Sequence, residues 1–404
     1  MTPDKSLAWL YNAQIFGVKL GLDNTRRLLD VSGCPANKLR IFHVAGTNGK
    51  GSVCAMLDSI LRAAGLRTGL YTSPHLTSFR ERIRVNGEMI RASDMADILT
   101  RLRRGCEDWD HSPTFFEIAT VLALDHFARE NCEVVIMETG MGGRLDATNA
   151  IVPLVSILTP IAMDHAQWLG NSIAEIAAEK AGIIKPGIPV VSAPQVPEVR
   201  RVIEDRARAC GSPVTFVTAP HAGPLGLCGE HQKWNAAVAL AALQAASFDP
   251  GETAIQQGLS TVTWPARFQR IGERFIVDGA HNPHAAKCLV ETWKQAFGSA
   301  RATVVFGALN DKDYAEMIGI LSGIAHDFFF VPVASTRSAD IRNFPALTDR
   351  PAQTFPSLQR ALEAAGEQTA PTLITGSLFL SGEALSLLLP DSFPCHDDTT
   401  ANLQ

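Results

Sequence analysis

"FHVAGTNGKGSVCAMLDSILRAAG", residues 42–65, runs from an apolar stretch through three glycines into a helical pattern. Gly46, Gly49 and Gly51 surround Lys50, and the hydroxyl of Ser52 follows. Val53, Met56, Leu57, Ile60 and Leu61 then share one face at helical spacing, with Gly65 placed as a C-cap. Strand, glycine loop with lysine and hydroxyl, then helix is the context of a phosphate-binding loop. Glycines let backbone N–H groups approach phosphate oxygens, and the helix N-terminus adds partial positive charge. In such a loop Lys50 reaches the β- and γ-phosphates and Ser52 faces Mg2+. The match to G-x-x-x-x-G-K-[ST] is imperfect, because Val44 stands at the first glycine and Gly51 separates lysine from hydroxyl. A glycine turn feeding a helix is the alternative reading of this loop alone.

Around the loop, short β-branched runs alternate with longer helical patterns. Residues 39–45, 132–138, 154–160 and 188–194 are mainly apolar rather than alternating, which is the pattern of buried parallel strands. Residues 115–131 and 172–184 read as helices between them. This alternation predicts an α/β fold with a doubly wound, mostly parallel sheet. A second series starts near residue 273, with strands within 274–280, 302–309, 328–334 and 372–378. At 404 residues the chain also exceeds what one core usually supports. The expected organisation is a P-loop-type ATPase domain over 1–264 and a hinge at 265–272. A smaller Rossmann-like α/β domain follows over 273–390, then a flexible tail over 391–404.

Composition bounds the function classes. Hydrophobic residues make up 46% and charged residues 19%, as in an ordinary globular protein. The net charge of −5, with no basic block, argues against a dedicated nucleic-acid surface. Eight scattered cysteines without a CxxC pair read as thiols of a reduced compartment rather than a zinc site or disulfide framework. The N-terminus lacks a signal-peptide pattern, and nothing approaches the roughly 20 apolar residues of a membrane span. The expectation is a cytoplasmic protein without membrane attachment.

Ligands of open α/β sheets sit at the carboxyl ends of strands. Those ends carry Ser73, Glu138, Asp164 and His165, beside the loop that bears Lys50. Each alone has a plain explanation: a turn cap, an ion pair with Arg144, a satisfied core histidine. Together, hard oxygens and one imidazole suit Mg2+ held against phosphates.

Ten segments resemble, in order, the signatures of folylpolyglutamate synthase and dihydrofolate synthase, a branch of the Mur ligase superfamily. They are "HVAGTNGKGS", "YTSPHL…ERIRVNG", "FFE", "METGMGGRLDATN", "MDHAQWLG", "AEKAGIIKPG", "WPARFQ", "VDGAHNPHA", "GALNDKD" and "TGSLFL", between about Phe16 and Leu380. The resemblance implies an ATP-dependent ligase that phosphorylates a carboxylate and lets the amine of L-glutamate displace phosphate. The acceptor implied is a folate, and also dihydropteroate. Some dihydrofolate-forming members carry an acidic residue where this chain has Lys19, so folate lengthening is the more directly implied activity.

Carried across by motif, Gly46, Thr47, Asn48, Gly49, Lys50, Gly51 and Ser52 fall on the ATP phosphates. Asn235, Arg267 and Asp278 fall on the nucleotide, which the resemblance places between the domains so that closure assembles the site. Ser73 and Glu138 fall on one Mg2+ and Glu138 with His165 on a second. Lys180, in "AEKAGI", matches a lysine that is carbamylated in the superfamily; a salt bridge to Glu138 or a phosphate is the alternative. His281 and His284 are read as shaping the nucleotide pocket rather than binding zinc. The pterin contacts map to Val18–Gly21, with Leu20 and Gly21 central, to Phe115 and Phe116, and to Leu145, Asp146 and Ala147. For Phe115 core packing is an equal alternative.

The resemblance further implies a monomer with small-molecule partners only. Two other readings share the loop. A peptidoglycan-precursor ligase would need a uridine-binding domain, for which the roughly 45 residues before the loop leave no room. A nucleotide-operated switch would not need Glu138, His165 and Lys180.

Overall fold

The computed structural model describes residues 1–13, 21–164 and 166–394. Among them, strands β1 (Ile41–Ala45), β2 (Thr68–Tyr71), β3 (Ile83–Val85), β4 (Glu88–Met89), β5 (Val134–Glu138), β6 (Val155–Leu158), β7 (Val190–Ser192) and β8 (Val214–Phe216) build one sheet. Its order is β4-β3-β2-β5-β1-β6-β7-β8. Every pair from β2 to β8 is parallel. The mostly parallel α/β class expected from the sequence therefore holds. β1, β5 and β6 are buried at every residue, which is why their sequences run apolar without alternation.

β3 and β4 add an antiparallel edge that turns at Asn86-Gly87. That hairpin lies outside the apolar-run pattern because its strands are short and carry Arg84 and Glu88. The helix after the loop spans Lys50–Ala63, and its expected face is fully buried. The Ser59 hydroxyl donates to Gly258 O at 2.8 Å, tying this helix to helix Glu252–Thr261. Two further helices start on capping boxes that satisfy otherwise orphaned N–H groups. Thr114 and Glu117 cap Phe115–Arg129, and Ser172 and Glu175 cap Ile173–Ala181.

A second sheet comprises β9 (Gln269–Ile271), β10 (Phe275–Val277), β11 (Ala302–Phe306), β12 (Ala325–Phe330), β13 (Ala352–Thr354) and β14 (Thr372–Thr375). Its order is β13-β12-β11-β14-β10-β9, parallel except for β9. Residues 269–271, placed in a connection by sequence, thus form an edge strand. Three residues after a proline turn carry too little pattern to read as one. Trp293, Phe306, Phe328, Phe330 and Phe344 fill one face of this sheet's core.

The chain forms two compact units. One comprises 1–75, 80–226 and 233–262; the other comprises 76–79, 227–232 and the residues from 263. Within the expected tail, Phe393 packs on the second unit's core, while 395–404 lie outside the described residues. The described cysteines are free thiols. Among the described residues, no helix is long and apolar enough to cross a membrane.

Candidate active site

β1 ends at Ala45, and the loop 46–49 leads straight into helix Lys50–Ala63. Gly46 has φ 150°, and a Cβ there would lie 1.9 Å from Thr159 Oγ1. Gly49 caps the helix at φ 87°, and its Cβ would lie 2.6 Å from Asn235 Oδ1. Both positions therefore demand glycine, one for space and both for backbone. Asn235, remote in sequence, lies against the loop. Pro160 O accepts from Thr47 N at 3.0 Å and Asn48 N at 3.2 Å. The Thr47 hydroxyl donates to Ala162 O at 3.0 Å and accepts from Ala162 N at 3.1 Å. Lys50 Nζ donates to Thr47 O at 3.2 Å. Ser52 is buried in the first turn.

Parallel pairing brings neighbouring strand ends to the same edge. Val44 of β1 pairs with Glu138, the last residue of β5, and Ala45 with Leu158 of β6. Glu138 is 5% exposed, and its Oε2 accepts from Ser73 N at 3.1 Å. Glu138 and Lys50 are both near enough to the buried Cys54 for their charges to act on its thiol. Lys180 is 4% exposed and donates from Nζ to Gly46 O at 3.0 Å. Burial and the nearby Lys50 charge lower its pKa from 10.5 to about 7, against the opposing pull of Asp164 and Asp146. Lys50, Ser73, Glu138 and Lys180 are thus gathered at one strand-end edge. His165, Leu20 and Lys19 lie outside the described residues.

Glu138 and Ser73 supply hard oxygens beside a lysine-bearing loop, a donor set that fits Mg2+. Elsewhere among the described residues, Asp94, His126 and Glu130 also bring ligand atoms within 4.8 Å of one another. There Arg91 pairs with Asp94 at 2.6 Å and Arg67 pairs with Glu130, so that cluster is already charge-compensated.

The loop after β5 is organised by Asp146. Its Oδ2 accepts from Gly140 N and Met141 N, each at 2.9 Å, and its Oδ1 from Thr148 N at 3.0 Å and from the Thr148 hydroxyl. Burial raises its pKa while these bonds pull it down. The half-buried Phe116 ring lies on this loop, since a Cβ at Gly140 would meet its Cζ at 2.4 Å. Phe115 instead enters the core, stacked on Tyr11 with ring centroids 5.8 Å apart. The expected pair therefore divides: Phe116 faces the loop and Phe115 packs. Leu145 is half-buried, Ala147 is buried and Gly21 is half-buried.

In the second unit, Asp278 follows β10 and accepts from Phe268 N at 2.8 Å and Ala280 N at 2.9 Å. Arg267 Nη1 donates to Ala266 O at 3.0 Å, and its charge opposes the rise that burial imposes on the Asp278 pKa. His281 Nδ1 lies 2.8 Å from Gly279 O.

Sequence reasoning missed the supports of this edge. Gln195 brackets the segment after β6, accepting from Ile161 N at 3.1 Å and donating to Thr159 O at 3.0 Å. Thr159 fills the space beside Gly46. No local pattern marks either residue.

Two domains of known proteins match the chain. Residues 44–189 match the Mur ligase middle domain and 266–378 the Mur ligase, glutamate ligase domain. Fold and site thus define an ATP-dependent ligase of the Mur type. The chain is 36% identical to the dihydrofolate synthase/folylpolyglutamate synthase of Bacillus subtilis, over 92% of this chain and 96% of that one. It superposes on Escherichia coli FolC in complex with DHPP and ADP with a TM-score of 0.86, at 32% identity, covering 97% and 99% of the two chains. The Yersinia pestis bifunctional folylpolyglutamate synthase/dihydrofolate synthase, complexed with AMPPNP and a Mn ion, gives 0.85 at 30% identity over 96% and 98%. The chain belongs to the folylpolyglutamate synthase/dihydrofolate synthase family, ATP-dependent ligases that join glutamate to folates.

Proposed function

We propose that this chain adds L-glutamate to the terminal carboxylate of folates, and to dihydropteroate, through an acyl phosphate. The observation that carries the reading is the convergence of the 46–52 loop, Glu138 and Lys180 at one strand-end edge. A carboxylate is a poor electrophile because its leaving group would be an oxide. Transfer of the γ-phosphoryl group from ATP to a carboxylate oxygen releases ADP and creates a good leaving group. The amine of glutamate then attacks the acyl carbon, the C–O bond to phosphate breaks, and an amide and phosphate result.

In this reading the backbone N–H groups of 46–52 and the Lys50 ammonium hold the β- and γ-phosphates and offset charge on the phosphoryl group in flight. Ser73, Glu138 and His165 hold two Mg2+ ions, which supply charge neutralisation across the phosphates. A CO2-derived carbamate on Lys180 adds an anionic oxygen to that set, and its lowered pKa supports this by providing a neutral amine near neutral pH. Phe116 stacks on the pterin, while Leu145 and Ala147 flank it on the loop that Asp146 holds. Asn235, Arg267 and Asp278 serve the nucleotide. The enzyme works as a cytoplasmic monomer on small molecules, with light scattering at the mass of one chain as the check.

ADP and phosphate release should require both a folate or pteroate acceptor and L-glutamate. Turnover indifferent to both would point to a nucleotide switch. Side-by-side assays with dihydropteroate and tetrahydrofolate test whether both acceptors are used.

A further inference from the structure

His43, in the middle of β1, is fully buried, and its Nε2 lies 2.8 Å from Thr148 Oγ1. Thr148 is equally buried and its hydroxyl donates to Asp146 Oδ1. A hydroxyl has one proton, and an ionised carboxylate only accepts. Gly140 N, Met141 N and Thr148 N all donate to Asp146, the surroundings of an ionised carboxylate, and such a carboxylate takes the proton of the Thr148 hydroxyl. The Thr148 proton is therefore committed to Asp146, and the remaining contact of its oxygen has to be accepted from His43. A neutral imidazole has a single N–H, so Nδ1 carries a bare lone pair. Nδ1 is buried without a hydrogen-bond partner among the described residues, which suits a lone pair better than an N–H. Burial and the Lys185 charge, which push the His43 pKa down to about 3, exclude the imidazolium.

We propose that His43 is locked as the neutral Nε2–H tautomer and acts, through Thr148 and Asp146, as the positioning residue for the 139–149 loop that receives the pterin end of the substrate. The chain of bonds links β1, which feeds the phosphate loop, to the loop that ends in Leu145, Asp146 and Ala147. The phosphate loop and the 139–149 loop are thereby tied to one strand. His43 itself is sealed in the core, with no exposed surface. The inference rests on the pterin reading of that loop, and its two measurements separate the two ideas.

The first is a long-range 15N–1H correlation spectrum of the full-length, histidine-labelled chain, with the His43 signal identified from His43→Gln. Should that variant fail to fold, Thr148→Val identifies the signal by removing the partner hydroxyl. The expected pattern is a protonated Nε2 and a bare Nδ1; a protonated Nδ1 or an imidazolium overturns the proposal. The second is kinetic. Thr148→Val should raise the KM for the pterin acid about ten-fold while the KM for ATP stays within about two-fold, and Thr148→Ser should restore it. An unchanged pterin KM, a parallel rise in both KM values, or no rescue by Thr148→Ser overturns it. A wild-type enzyme that rejects every pterin acid would refute the functional reading, while the spectrum still decides the tautomer.

Discussion

Lys180, buried with its Nζ on Gly46 O, is the side chain at which the proposed chemistry is most open to test. Its folded pKa of about 7 lies below the ordinary 10.5, so the unfolded chain binds the extra proton between these values. This contribution to stability therefore rises with pH from about 7 to about 10.5, and the penalty for charging the buried amine is complete below about 7. Catalysis should show an acid limb near pH 7, because a protonated amine cannot take up CO2. Lys180→Ala should remove that limb and lower kcat at least 100-fold, and bicarbonate labelled with 13C should give a carbamate signal in the wild type that the variant lacks. Absence of that signal would leave the direct bond to Gly46 as the role of Lys180. Glu138→Ala should lower kcat by at least about 1,000-fold with a circular dichroism spectrum like the wild type; near-normal rates would remove the metal assignment. Lys50, Glu138, Ser73 and Lys180 were legible in the sequence because each stands at a motif or strand end. His43, Thr148, Thr159 and Gln195 were not, because they matter through hydrogen bonds and contacts closed by the fold, 105 residues apart for His43 and Thr148.

At the level of elements, the decisive unit is strand, loop and helix over residues 41–63. Its glycines are set by the surroundings of the loop as much as by any phosphate. Gly49→Ala would force a side chain to φ 87° and toward Asn235, at a cost of about 1–2 kcal/mol in backbone strain alone. The KM for ATP should rise at least ten-fold, while the KM for the folate changes less; a calorimetric titration with a non-hydrolysable ATP analogue checks the same loss without turnover. Continuous apolar runs make β1, β5 and β6 readable from the amino-acid sequence. The β3–β4 hairpin and β9 are not, since two or three residues with alternating polar side chains fall below the length at which periodicity carries a signal. The helix starts at Thr114 and Ser172 carry a readable capping-box pattern in "TFFE" and "SIAE" that apolar periodicity alone passes over.

The whole molecule is two α/β units whose boundaries do not follow chain order: 76–79 and 227–232 belong with the unit that otherwise starts at 263. Those short excursions are invisible to composition, because membership is decided by packing. Leu76, for example, lies against the core that Leu380 and Leu385 help to form. At this scale the proposed reaction spends the energy of ATP on making a carboxylate reactive toward an amine. The direct measurement uses an acceptor whose reacting carboxylate carries 18O, turned over with ATP and L-glutamate. Phosphate released with one 18O atom is the predicted result, since the oxygen that bonds to phosphorus leaves with it. Unlabelled phosphate, formed at the same rate as the amide, would contradict the account.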